Sequence, residues 1–262
     1  LDMAKKSIVL LKNDNNVLPL KKSGQKIALL GSLAESKNSP LGSWRIASDN
    51  NTAVSVLEGL QQYKGNTLNY VKGLELTKVE PTFLTEVEYN TTDKSGFEKA
   101  KKAAKEADVV VMVLGEHGFS SGEARSRTNL DLPGLQQEFL EEIYKVNPNI
   151  VLVLNNGRPL TISWAAEKIP TIVEAWQLGT ETGNAVAQVL YGDYNPSGKL
   201  PMSFPRNIGQ VPISYNHYST GRFTNKDNNV FWSHYSDVEK TPLYPFGYGL
   251  SYTTFEYSNL KI

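Results

Sequence analysis

An α/β fold with a doubly wound, mostly parallel sheet and helices on both faces is predicted by two observations. Short apolar runs rich in β-branched residues alternate along the chain with segments of helical period. The runs are also continuous in apolar character, where a strand with one wet face would alternate. A parallel strand covered above and below by helices needs that continuity. Strand, helix, strand at this spacing then implies crossover connections within one open sheet.

The clearest strands are Lys26-Ile-Ala-Leu-Leu30, Asp108-Val-Val-Val-Met-Val-Leu114, Asn149-Ile-Val-Leu-Val-Leu154 and Thr171-Ile-Val-Glu-Ala175. Two weaker ones are Ser7 to Leu11 and Thr67 to Val71. Val54, Leu57 and Leu60 form the first helical stripe, with capping candidates at Asp49 to Asn51. Phe97, Ala100, Ala104 and Ala107 form the second. Leu135, Phe139, Ile143 and Val146 form the third, with Pro133 suited to its first turn and Asn147-Pro148 to its end. Ala185, Val186, Val189 and Leu190 form the fourth. The set predicts an α/β sandwich of the flavodoxin-like kind. The opening Leu1-Asp-Met-Ala-Lys-Lys6 reads as the end of a helix, which suggests a piece whose start and targeting signal lie upstream.

After about residue 195 the texture changes. Thirteen of the 26 aromatic residues fall between Pro201 and Ile262, among Gly, Pro and Asn turns and without a helical stripe. Such a segment builds no core of its own and is expected to wrap another surface.

Charge and composition narrow the function classes. Lys plus Arg equals Asp plus Glu, 27 against 27, so nothing favours nucleic acid or an anionic membrane as partner. No apolar run approaches the roughly 20 residues of a membrane span. With no cysteine, disulfides and thiolate chemistry are excluded, and the three histidines are too scattered to suggest a metal site.

In an open parallel sheet, ligands bind beyond the carboxyl ends of the strands. Three loops lie there: Gly31 to Arg45, Gly115 to Arg127, and Asn155 to Pro159. The second is the densest, with Glu116, His117, Glu123, Arg125 and Arg127 among Gly and Ser. It reads either as a loop presenting a carboxylic acid to a ligand or as an ion-paired surface loop. Trp44, between polar neighbours, reads either as a platform for a sugar ring or as a loop anchor packed on the domain.

These residues carry a resemblance. Ser7-Ile-Val-Leu-Leu-Lys-Asn13 with Leu18-Pro-Leu20 resembles the start of the second domain of family 3 glycoside hydrolases. Ser121-Gly-Glu123, Arg127 and Leu130-Asp-Leu-Pro133 are similar to that family's acid/base loop. Gly192-Asp-Tyr-Asn-Pro-Ser-Gly-Lys-Leu-Pro201 and Pro245-Phe-Gly-Tyr-Gly-Leu-Ser-Tyr-Thr253 resemble its two most distinctive later motifs. The match runs in order along essentially the whole chain, and is strongest to periplasmic β-glucosidases.

The resemblance implies retaining hydrolysis of terminal β-D-glucosyl residues by two carboxylates, with no cofactor and no metal. An Asp on a preceding (β/α)₈ barrel would be the nucleophile, and the matching general acid/base here is Glu123. Trp44 matches a tryptophan that stacks on the leaving-group sugar. Arg127 and His117 lie beside Glu123 and would position it or the substrate. Residues 1–200 would form the α/β domain, with 1–25 leading in from the barrel. Residues 201–262 would form an aromatic-rich extension toward a third domain, with Tyr235 to Tyr257 packing on the absent parts. The implied partners are a β-linked glucoside and those other domains, the implied location is periplasmic or secreted, and this piece alone would be inactive. A stand-alone sugar-binding or interaction module on the same scaffold is the alternative reading.

Overall fold

A computed structural model describes residues 1–218, 221 and 230–260. The parts of the expected C-terminal extension at 219–220, 222–229 and 261–262 lie outside the described residues. In chain order the elements are α1 (Asp2–Ser7), β1 (Val9–Asn13), β2 (Ser23–Leu30), α2 (Val56–Leu60), β3 (Gly65–Val71), α3 (Phe97–Lys105), β4 (Val109–Gly115), α4 (Gln136–Val146), β5 (Ile150–Asn155), α5 (Ser163–Lys168), β6 (Thr171–Glu174) and α6 (Thr182–Leu190).

One six-stranded sheet runs in the order β1-β6-β5-β4-β2-β3. β2 to β6 are parallel, and β1 pairs antiparallel with β6, covering what would otherwise be an open edge. All six predicted strands are present. The five parallel strands have the flavodoxin-like order, with the switch point between β2 and β4.

The two predicted helical layers follow from strand alternation. Val110, Met112 and Leu114 of β4 and Ile150, Leu152 and Leu154 of β5 point to a core closed by Phe97, Ala100, Phe139 and Ile143 of α3 and α4. Val109, Val111, Val113, Val151 and Val153 point the other way, against Val56, Leu60, Val186 and Leu190 of α2 and α6. Both faces of the central strands are therefore dry, which is why their sequence shows no polar alternation. α2 and α6 cross with backbones nearly touching: a Cβ on Gly59 would sit 2.0 Å from the carbonyl oxygen of Gly183.

Three details depart from expectation. The cap of α2 is Ser55, in a capping box with Glu58, while Asp49 to Asn51 lie in the preceding loop. α5 went unread, because Ala165 is its one fully buried residue and a single small apolar position makes no stripe. The aromatic segment also feeds this domain's own core. Leu200, Phe204 and Tyr244 are buried, and Phe204 and Tyr244 form a bridge. Tyr248 and Tyr252 donate hydroxyl hydrogen bonds to the carbonyls of Leu11 and Val189. Part of the Tyr235–Tyr257 stretch thus packs here, because each phenol reaches a backbone acceptor at the edge of the sheet or of α6. Phe246, Phe255 and Tyr257 remain exposed.

Candidate functional site

The loops after β2 and β4 flank the switch point, and the connection after β3 closes the same end of the sheet. β4 ends where Gln136 caps it twice. The Gly115 N–H donates to Gln136 Oε1 at 2.8 Å, and Gln136 Nε2 donates to the Gly115 carbonyl at 2.7 Å. The following residue, Glu116, has a side chain with 0% exposure. Its two oxygens take two guanidiniums, Arg127 Nη1 at 2.6 Å and Arg158 Nε at 3.3 Å. Each of its oxygens thus faces a guanidinium, which offsets the cost of enclosing the group.

His117 is also buried. Its Nδ1 accepts the Phe119 N–H at 3.1 Å, and its Nε2 lies 3.7 Å from Glu80 Oε1. Burial lowers its pKa, with Glu80 opposing and Arg45 adding to the shift. The acceptor role of Nδ1 requires the proton of a neutral ring to sit on Nε2. Tyr89 ties in the same stretch, its hydroxyl hydrogen-bonded to Ser120 Oγ and accepting the His117 N–H at 3.4 Å.

Beyond this base the loop rises to a crest. Gly122 (φ 115°) and Ala124 (φ 59°) are both left-handed, and the Arg125 N–H donates to the Gly122 carbonyl at 3.2 Å. Glu123 stands between them, exposed. Glycine is needed at the first position, where a Cβ would also meet Ser43 Oγ at 2.3 Å. Glu123 faces a cleft of about 500 Å³ shared with Ser43, Trp44, Ile46, Phe83 and Glu86. Trp44 is 66% exposed, with its ring 6.3 Å from that of Phe83. An indole this open is not a buried anchor, and it lines the same cleft as the carboxylate.

The loop arginines leave Glu123 alone. Arg125 donates to the carbonyls of Phe83 at 2.6 Å and Thr85 at 3.0 Å, and Arg127 pairs with Glu116. Of the sequence candidates, Glu123 and Trp44 are brought together on one cleft, while His117 and Arg127 sit in the base of the loop and outside its lining. Sequence reasoning passed over Phe83 and Glu86 because they follow the weakest strand of the sheet. It gave no role to Glu116 or Arg158, whose pairing spans 42 residues. The general scarcity of buried carboxylates was the available signal for Glu116, right after a seven-residue buried strand.

Among the described residues one other carboxyl is buried, Glu174 at the end of β6. It accepts from the Trp176 N–H at 2.8 Å and from Asn156 Nδ2 at 3.1 Å. Burial raises its pKa to about 8 despite those bonds. It does not line the cleft.

The arrangement can present one carboxyl to a ligand held against an indole. It contains no metal-ligating cluster among the described residues. Comparison with known proteins gives the chain's family. Residues 8–252 match the model described as the glycosyl hydrolase family 3 C-terminal domain. The whole chain aligns at 45% identity with the periplasmic beta-glucosidase of Salmonella typhimurium, covering 35% of that protein. It aligns at 41% with a beta-xylosidase of Formosa agariphila, again over 35% of the relative. The crystal structure of the beta-glucosidase of Listeria innocua in complex with isofagomine superposes on 97% of the chain with a TM-score of 0.85 and 38% identity, over 33% of its own length. The chain thus spans about a third of the length of the curated relatives it matches.

Proposed function

The chain belongs to the family of glycosyl hydrolase family 3 C-terminal domains, and we propose that it supplies the general acid/base of a retaining β-glucosidase. The observation that carries this reading is Glu123, an unpaired carboxylate raised on a left-handed turn and sharing one cleft with an exposed tryptophan.

In the proposed reaction the carboxyl of Glu123 protonates the glycosidic oxygen as an Asp, carried by a (β/α)₈ barrel elsewhere in the full-length protein, attacks the anomeric carbon. The C–O bond to the leaving group breaks and a glycosyl–enzyme ester forms. Glu123, now a carboxylate, takes a proton from water as that water attacks the ester, releasing the sugar with its configuration retained. The two carboxyl groups must face each other at about 5 Å. Trp44 holds the leaving-group ring by stacking. Arg127 and His117 support the base of the loop and keep the acid in place.

The substrates are terminal non-reducing β-D-glucosyl residues, in keeping with the beta-glucosidases among the relatives. Residues 1–200 form the α/β domain and 201–262 an extension toward further parts of the protein. The chain alone, without the nucleophile, turns over no substrate. The location is periplasmic or secreted, by likeness to the Salmonella protein.

The test is the full-length protein with Glu123→Ala, assayed on an aryl β-glucoside having a good leaving group, with and without azide. Loss of turnover that azide restores, with β-glycosyl azide as product, identifies the acid/base. Unchanged activity without azide would sink the assignment.

A further inference from the structure

We propose that Arg158 is a positioning residue for Glu123, a pin that closes the stem of the acid/base turn and is itself held by buried Glu116; this rests on the reading of Glu123 as acid/base. Arg158 belongs to the loop after β5, so the turn is fixed by an element it does not belong to. Its Nη2 donates to the carbonyl oxygen of Ser120 and, at 2.8 Å, to that of Arg125. Those two residues bracket the crest that carries Glu123. One guanidinium nitrogen therefore joins the rising and falling limbs of the turn.

Glu116 sets where that nitrogen lies. Its Oε2 takes Arg158 Nε at 3.3 Å while its Oε1 takes Arg127 Nη1, whose own Nη2 lies 3.4 Å from the Asp131 carbonyl. The falling limb is thus held twice from one carboxylate. Arg125, whose carbonyl Arg158 grips, extends its own side chain to the carbonyls of Phe83 and Thr85. Through it the pin also fixes the aromatic wall opposite Trp44. A second hold on the rising limb comes from Gln177 Nε2, which donates to Ser121 Oγ at 3.3 Å.

Arg158 does not line the cleft and makes no hydrogen bond to Glu123. It acts through backbone placement alone. Arg158 reaches these acceptors from two nitrogens fixed in one plane, Nε toward Glu116 and Nη2 toward the two carbonyls, whereas lysine carries all its donors on a single nitrogen and is a poor replacement. A misplacement of about 1 Å at a catalytic group costs on the order of 100-fold in rate.

The experiment uses the full-length protein with Arg158→Lys and Arg158→Ala, beside wild type and Glu123→Ala. Each is assayed on phenyl and 2,4-dinitrophenyl β-glucosides, and amide hydrogen exchange is followed across residues 116–127. Both Arg158 variants are expected to lower kcat on the phenyl glucoside by roughly 10- to 100-fold. On the phenyl glucoside KM should stay nearly constant, while on the dinitrophenyl glucoside, whose departure needs little acid help, kcat/KM should lose far less, any fall in kcat there reporting the slowed base step. Exchange should rise at 121–125 while β4 and β5 stay protected. Arg158→Lys keeps the charge opposite Glu116 and guards against loss of folding in the alanine variant. Wild-type exchange at 121–125 in Arg158→Lys would overturn the proposal, whatever Glu123→Ala does. So would a phenyl-glucoside kcat unchanged in Arg158→Lys when Glu123→Ala shows its azide-rescued defect. Absence of that defect in Glu123→Ala would instead remove the acid/base reading, leaving exchange to show whether Arg158 pins the turn.

Discussion

The base and the crest of the loop after β4 are built from the same few charged residues and use them in opposite ways. At the base, Glu116 is enclosed, with one guanidinium on each oxygen. At the crest, Glu123 is exposed between two left-handed residues and pairs with neither arginine of its loop. Seven residues apart, one carboxylate holds the loop together and the other is available for chemistry. The difference teaches that charge density in a loop says little until each charge is assigned a partner. An arginine three or four residues from a carboxylate is a default neighbour only on a helix. Here the backbone turns back at Gly122, so Arg127 reaches the base and bypasses the crest.

The comparison can be broken most severely at the base. Glu116→Ala leaves two half-enclosed guanidiniums facing each other without a counter-charge, and such losses cost about 3–5 kcal/mol. Denaturant unfolding of the chain should show a drop of that size. A change below about 1 kcal/mol would mean the pair is no more than a surface contact.

Glu174 sharpens the comparison from a second buried carboxyl, one with no cation beside it. Its folded-state pKa, about 8, lies above the ordinary 4.5, so the folded chain holds the proton more tightly than the unfolded chain. Its contribution is present in full below about pH 4.5 and is lost as pH rises through about 8. Glu174→Gln removes the titration. Asn156, beside it, carries a buried Oδ1 with no partner, which an amide or a protonated carboxyl can use once the Asn amide turns. Unfolding free energies at pH 5 and pH 8 should therefore diverge more for wild type than for the variant, by at least about 1.4 kcal/mol. Equal pH dependence in the two would show that Glu174 is already ionised in the fold.

The smallest effect on folding belongs to the crest. Glu123→Gln removes an exposed carboxylate without a partner, and stability should stay within about 0.5 kcal/mol of wild type. A larger loss would show that Glu123 supports the loop as Glu116 does.

How much of this was legible in the sequence follows the same division. The six strands and the helices α2, α3, α4 and α6 announced themselves because a two-sided core writes its burial into continuous apolar runs and 3.6-residue stripes. Glu123 and Trp44 were legible through motif likeness and through their place after parallel strands. The base was not, because Arg158 meets Glu116 across 42 residues and Tyr89 meets Ser120 across 31, and no local pattern encodes such pairings. The wall that faces Trp44 escaped for another reason. Phe83 sits in an irregular segment after an edge strand whose residues are half exposed, where periodicity carries no signal. The aromatic segment was legible only in part, since composition marks Tyr244 and Tyr257 alike while one is buried and the other exposed.

The central claim is that the free carboxyl at the crest is the proton donor to the departing sugar. Its most direct test compares Glu123→Ala with wild type, in the full-length protein, on a series of aryl β-glucosides of graded leaving-group pKa. Loss of a general acid should lower kcat/KM by about 10²–10⁴ for phenyl glucoside and much less for dinitrophenyl glucoside, steepening the dependence on leaving group. An equal loss across the series, or none, would contradict the claim and leave this domain as a frame for chemistry performed elsewhere.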